Sequence, residues 1–452
     1  MKRSVTFYGG VGTVTGANFL LSMGDLRILI DCGLEQGGMF CEEHNREDFA
    51  YDPQSIDVLL VTHAHIDHIG RIPLLVARGY RGPIISTDAT KDLARLMLED
   101  SLGVLGKEAR ANGLPPLYED VDVTQALSQW QGKPYHEAFN LDERVRATFM
   151  EAGHILGSAY ISVTDDERRI VFSGDIGNSP APIIRDREEV TDADYLIMES
   201  VYGDRLHEDR DNRDARFRDI VVEAIGRGGA LIIPAFSLER TQNILHELNH
   251  LVESGAVSKV PVFLDSPLAI KATSIYRKYH SLYNKHARDD KAEGDDIFSF
   301  PNLTQTLERS DSQQIKKTQN PKIIIAGSGM SHGGRVMFHE KELLNDPSST
   351  LLISGYQAAG SLGRRLEEGV KRVKILGKLV RVRAHIEKLT GYSGHADRDD
   401  LVDFVASTSA VVKKVFVVMG ETKASAFLAQ RLRDYLDVDA QIPRAGVVYP
   451  LS

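Results

Sequence analysis

The stretch VTHAHIDHIG, residues 61–70, constrains this chain more than any other. It places His63, His65, Asp67 and His68 directly after the apolar, β-branched run DVLLVT. In an extended segment, residues i and i+2 point the same way, so His63 and His65 face one ion. The chain then turns, and Asp67 with His68 faces a second. Imidazole and carboxylate suit zinc, and also serve iron or manganese. One cluster cannot close two sites, so further ligands must come from other strand ends. His154 in GHILGS and Asp175 in FSGDIGN, the latter between glycines that permit close backbone approach, are the candidates. Asp31 in ILIDCG joins them.

A chain of 452 residues is too long for one ordinary domain. Strand-type runs dominate the first third (SVTFYGG, FLLSM, RILIDCG, DVLLVTHAH, PIISTD), and helical spacing is seen in IGRIPLLVARG and TDATKDLARLMLEDSLGVLGKEARA. From about Leu206 the texture changes to alternating strand and helix, as in ALIIPAF, ERTQNILHELNHLVESG and VPVFLDS, the pattern of a parallel α/β unit. The stretch from Asn284 to Gln319 reads as loop. After Arg383 the earlier style resumes. The expected organisation is one α/β domain made from residues 1–208 and 386–452, with a second α/β unit, residues 209–385, inserted between them.

Charge and cysteine content bound the function. A net charge of −10 argues against a general nucleic-acid coat protein. Between Arg364 and Lys388, however, basic residues far outnumber acidic ones. A selective polyanion contact and an ordinary solvated face account for that run equally well. No apolar run is long enough to span a bilayer, and MKRSVTFYGG lacks the apolar core of a signal peptide. Two cysteines without a CxxC pair fit a reducing cytoplasm.

The motifs VTHAHIDHIG, EAGHILGSA and FSGDIGN, with ILIDCG upstream, resemble those of the metallo-β-lactamase fold, an αββα sandwich with a dinuclear site at one edge. MESVYGDR, IIPAFSLERTQ, FLDSPLA, GSGMSHGGR and GYSGHADR narrow the resemblance to its β-CASP branch, which processes nucleic acids. The branch includes the endonuclease subunit of mRNA 3′-end cleavage and ribonuclease J. The resemblance implies that His63, His65 and His154 hold one metal, Asp67 and His68 the second, and that Asp175 bridges them. It makes Asp31 a residue that orients a ligand histidine. It makes His395 the general acid, held by Glu199; a histidine beside a carboxylate stays protonated near neutral pH. Asp67, through its metal, counts with them among the catalytic groups. Zinc is the implied ion, with manganese as an alternative. The glycines of GSGMSHGGR expose backbone N–H groups suited to a phosphate, which makes Ser328, Ser331, His332 and Arg335 candidate substrate contacts. A tight turn that needs only glycines explains the stretch equally well. Arg240 is a further candidate, although Glu239 precedes it where the family commonly has glycine.

The chain departs from the pattern at one ligand. The branch carries a histidine in a V-H-G-E stretch near the C-terminus; here the stretch reads VVMGE, and the position is Met419. A thioether is a poor partner for zinc beside oxygen and nitrogen ligands. Three readings follow. The second metal binds more weakly through Asp67, His68, Asp175 and water; or His332, His339 or His385 swings in; or the protein acts as a non-catalytic RNA-processing scaffold. The first is favoured, because every other chemical position is intact. The leading expectation is a metal-dependent ribonuclease acting on single-stranded RNA, with the inserted unit capping the site. The alternatives are a DNA-directed nuclease of the same branch, whose members lack this histidine, and the scaffold. The fold begins almost at residue 1, so RNA capture is expected to rely on a groove or on a homodimer, an assembly the resemblance allows.

Overall fold

The computed structural model describes residues 1–37, 41–207, 212–292, 296–357, 360–389 and 391–452. The chain forms two compact units, Met1–Leu206 with His395–Ser452, and His207–Gly394. The anticipated seam at 208/209 lies outside the described residues.

The first unit is built on two seven-stranded sheets. One runs Val448–Pro450, Arg3–Phe7, Phe19–Met23, Leu26–Ile30, Val58–Leu60, Ile84–Thr87, Trp130–Lys133. The other runs Ala440–Gln441, Lys414–Val417, Tyr195–Met198, Arg169–Phe172, Ala159–Thr164, Arg146–Glu151, Phe139–Asn140. Alternate residues of the two sheets meet in one core. Val5, Phe7, Phe19, Leu21, Ile28 and Ile30 pack against Phe149, Ile161, Val163, Ile170, Phe172, Ile197 and Phe416. Each such side chain, fully buried, contributes about 1.5–3 kcal/mol. The opposite faces of central strands are also apolar, as in Val171, Leu196, Met198, Val415 and Val417. Strands buried on both sides need helices outside. Helices Arg398–Ala406 and Thr422–Leu436 supply Leu401, Phe404, Leu428 and Leu432 to that second layer. Helix Asp88–Ala111 packs on strands Ile84–Thr87 and Trp130–Lys133 of the other sheet. The result is the αββα sandwich.

Both ends of the chain build this unit. Val448–Pro450 pairs antiparallel with Arg3–Phe7, Thr6 opposite Val448. Lys414–Val417, after the insertion, lies parallel beside Tyr195–Met198, before it.

The second unit has one six-stranded parallel sheet in the order Leu303–Gln305, Val262–Asp265, Lys322–Ala326, Ala230–Pro234, Thr350–Ile353, His385–Lys388. Two sequence expectations differ here. His385–Lys388 extends this sheet beside Thr350–Ile353, so the seam falls after it, near Gly394. The stretch from Asn284 to Gln319, expected as loop, contains helices Lys285–Ala292 and Arg309–Ile315 and strand Leu303–Gln305. Those helices are too polar for an apolar stripe to mark them.

Candidate metal centre

Three strand ends of the first unit converge on one point. His63 and His65 follow strand Val58–Leu60, and helix Ile66–Ile69 then carries Asp67 and His68. This turn is clamped from below. Ala17 N–H donates to the Asp67 carbonyl (2.9 Å) and Cys32 N–H to the His68 carbonyl (2.8 Å). Gly33 has to be glycine, because a Cβ there would fall on the Asp67 carbonyl. His154 follows strand Arg146–Glu151, and Asp175 follows Arg169–Phe172. His63, His68, His154 and Asp175 are buried.

Their ligand atoms face one another. His65 Nδ1 is 3.1 Å from His63 Nε2 and 3.2 Å from His154 Nε2. Asp175 Oδ2 is 3.4 Å from His63 Nε2 and 3.5 Å from His154 Nε2. On the other side, Asp175 Oδ1 is 3.3 Å from His68 Nε2, which lies 4.0 Å from Asp67 Oδ2. One carboxylate thus spans both groups. Burial holds the His63 and His65 imidazoles well below their ordinary range, the neutral state that a metal ligand needs. Burial also opposes charge on Asp175, but His68 and His63 outweigh it and hold this carboxyl well below the usual range.

These residues fit a metal. His68 Nε2 and Asp175 Oδ1 are buried polar atoms with no hydrogen-bond partner among the described residues. Such orphans are costly unless something satisfies them, and a cation between a lone pair and a carboxylate does so. Three imidazoles and a carboxylate are a zinc-type donor set.

Asp31 fixes one of these rings. Its Oδ2 lies 2.7 Å from His68 Nδ1, which directs the Nε2 lone pair toward Asp175. Sequence reasoning missed the residue that holds Asp31. Thr62 donates its N–H to Asp31 Oδ1 and its hydroxyl to Oδ2, both at 2.8 Å. Its place directly before His63 was the available signal.

His395 approaches from the returning chain. Residues 395 and 177 form a β-bridge, and Ala396 N–H donates to the Ile176 carbonyl (2.7 Å). His395 Nδ1 is 3.3 Å from Glu199 Oε1 and 3.9 Å from Asp175 Oδ2. Glu199 is fully buried and accepts N–H bonds from Ile176 (2.7 Å) and Val201 (3.2 Å). The Ser173 hydroxyl, also missed from sequence, accepts the Glu199 N–H at 3.0 Å. Burial alone lowers the His395 imidazole, but Glu199, then Asp175 and Asp67, outweigh it and lift it to about 9.

Met419 lies on the far side. It is buried in the inter-sheet core, with φ of 46°, a conformation uncommon for a bulky residue and less so for histidine. It lines a cavity of about 10 Å³, room for one water, together with His68, Asp31, Thr62 and Glu199.

The residues expected to contact substrate belong to the second unit, and two of them are committed elsewhere. Ser331 is buried and bonds Glu340. Arg335 donates to Asp265 (2.8 Å) and to the Thr306 and Leu307 carbonyls. Both therefore hold the glycine-rich turn together, and the turn alternative explains them. Arg240 is buried in the helix that it starts. Ser328 accepts the His332 N–H at 3.1 Å, and His332 is exposed. Within the second unit, His339 bonds Asp265 (2.7 Å) and His385 sits in the six-stranded sheet.

Comparison with known proteins agrees with this geometry. Family models match for the metallo-beta-lactamase superfamily (residues 16–234), the Beta-Casp domain (241–366) and the Zn-dependent metallo-hydrolase RNA specificity domain (379–443). Ribonuclease TTHA0252 of Thermus thermophilus is 35% identical over 405 residues, 90% of this chain and 91% of that protein. The chain belongs to the β-CASP branch of the metallo-β-lactamase superfamily. Other relatives in the branch are the transcription termination factor FttA of Methanosarcina mazei (32% identical; 97% of this chain, 70% of that one) and an RNase J-like protein of Methanocaldococcus jannaschii (30%; 94% of each). A crystal structure of a protein of unknown function from Enterococcus faecalis V583 shares the fold over the whole of both chains, with a TM-score of 0.56 at 14% identity. As a member of this branch the protein is a metal-dependent hydrolase. Among the described residues, no helix is long and apolar enough to cross a membrane.

Proposed function

We propose that the protein is a ribonuclease that hydrolyses phosphodiester bonds of single-stranded RNA at a dinuclear zinc centre. His63, His65 and His154 hold one ion, Asp67 and His68 the second, and Asp175 both. The observation that carries this reading is the pairing of two constellations: four metal-type ligand atoms, and a Glu199–His395 dyad reaching the same Asp175 carboxylate. Zinc-class ions, when bound, supply a nucleophile at neutral pH and a clamp for phosphate oxygens. The chain's own residues do the rest. Asp31 and Thr62 keep His68 in one tautomer. Glu199 holds His395 Nδ1, so the imidazole hands a proton to the leaving oxygen through Nε2.

Recognition of RNA is supported by the second unit's hairpin, Arg372–Ile375 with Lys378–Arg381. Arg372 stands directly opposite Arg381, and Lys374 lies on the same face; all three are exposed. Like charges directly opposed in a sheet are unfavourable, and a polyanion relieves them. Replacing Arg372 and Arg381 by alanine should weaken RNA binding and flatten its salt dependence by about one unit of slope per lost phosphate contact. An unchanged slope would remove the hairpin from the interface. A cytoplasmic location fits a chain of this length with two cysteines and no CxxC pair.

The test uses end-labelled single-stranded RNA and matched DNA, with zinc or manganese, comparing the wild type with Asp175→Ala. Cleavage of RNA by the wild type alone supports the proposal, and the product ladder distinguishes internal from terminal cutting. Preference for DNA would favour the DNA-directed reading. Tight RNA binding without turnover in a metal-loaded protein would favour the scaffold and implicate Met419.

A further inference from the structure

A second histidine cluster lies in the inserted unit and shares no residue with the hydrolytic centre. Helix Arg240–Glu253 carries His246 and His250, four apart and therefore on one face. Helix Lys285–Ala292 carries His286 and Asp290 with the same spacing. The two faces meet. His246 Nε2 and His250 Nε2 are 3.0 Å apart. Asp290 Oδ2 lies 3.6 Å from the first and 3.7 Å from the second. His286 is at the rim, its ring parallel to that of His250 at 5.9 Å and its Nδ1 3.7 Å from Asp290 Oδ1.

We propose that His246, His250 and Asp290, with His286 as a fourth group at the rim, form a transition-metal site of the zinc class that staples helix Lys285–Ala292 to helix Arg240–Glu253.

Three observations carry this. The first is spacing. Ligands about 2.0–2.1 Å from a tetrahedral zinc stand roughly 3.3 Å from one another, and the three observed separations bracket that value. The second is the state of the carboxylate. Asp290 Oδ2 is buried and has no hydrogen-bond partner among the described residues, though it points at two imidazole nitrogens. A buried acceptor left unmade is costly, and a shared cation removes that cost. The third is the helix. The sequence KHARDDKA has no apolar residue larger than alanine, and of residues 285–291 only Ala287 is buried. A short helix with so little apolar anchorage needs another reason to dock. A cross-helix metal supplies one. The donor set would also take cobalt, nickel or copper, so selectivity rests on metal supply.

The test is metal counting on the full chain. Wild type, His250→Asn and Asp290→Asn are loaded with zinc, desalted and measured by plasma mass spectrometry, with circular dichroism to confirm folding. The expected result is a loss of about one equivalent in both variants, with cleavage per loaded hydrolytic centre unchanged. Hydrogen exchange should show zinc-dependent protection of residues 285–291 in the wild type and not in the variants. Equal stoichiometry in all three proteins, or occupancy only at millimolar zinc, overturns the proposal. Asp290→Asn is nearly isosteric on a half-buried side chain, so the test survives if His250→Asn folds poorly.

Discussion

The two halves of the candidate metal centre share Asp175 and differ in almost everything else. Around Asp175 Oδ2, His63, His65 and His154 bring nitrogen atoms from two strand ends to within 3.5 Å of a neighbour in the set. Around Asp175 Oδ1, His68 has one close contact and Asp67 stands off at 4.0 Å. The first half is complete from its own residues. The second depends on Asp31 and Thr62 to aim His68, and where the branch places a histidine it has Met419, turned into the core. A site half built from ligands and half from their supports should be strong on one side and tunable on the other.

The largest effect should separate the halves directly. His63→Ala removes a ligand from the complete half and should lower metal affinity by more than about 100-fold, beyond the loss typical of outer-shell changes; His68→Ala should spare the first equivalent. Calorimetric zinc titration reads both, and equal losses would mean that the halves are one cooperative unit. Next comes Asp31→Ala. It should cost about 10–100-fold in affinity for the second ion only, because it frees the His68 ring without touching a ligand atom. Met419→His should work in the opposite sense. It restores a nitrogen donor and suits the left-handed backbone at 419 better, so retained metal should rise by about one equivalent. Unchanged stoichiometry and unchanged cleavage rate together would show that position 419 does not limit the site. The smallest effect concerns packing behind Met419. A Cβ on Gly10, which has φ of 66°, would stand 2.5 Å from the Met419 sulfur. Gly10→Ala should cost about 1–2 kcal/mol from the backbone alone. Denaturant midpoints should show any excess over that vanishing in a Met419→Ala background.

How much of this was legible beforehand follows from the physics of each part. The histidine cluster was readable because i, i+2 spacing on a strand and a turn directly after it fix where side chains point. The strands were readable as short β-type runs ending at turns, and the sandwich followed from the resemblance that the motifs at their ends carry. Thr62 and Ser173 were not, since a hydroxyl that braces a carboxylate or a backbone N–H looks like any other in sequence. Ser331 and Arg335 read two ways for a related reason. A glycine-rich turn with polar side chains suggests a ligand or a self-contained turn, and here those side chains bind Glu340 and Asp265. The polar helix Lys285–Ala292 was hidden because helix periodicity is visible only when one face is apolar.

The way the insertion leaves and re-enters its host has a practical consequence. Tyr195–Met198 and Lys414–Val417 are hydrogen-bonded neighbours, and Arg398 N–H donates to the Arg205 carbonyl at 3.0 Å. The host's cut ends are thus already sewn together without help from the 207–394 segment. Closing a gap this narrow takes only a few flexible residues, and the entropy of doing so grows slowly with their number. The first unit can therefore be treated as a cassette holder: a minimal hydrolase in which a short glycine linker replaces the native insert, and into which other recognition modules can be spliced while the metal ligands and the Glu199–His395 dyad stay in one continuous scaffold.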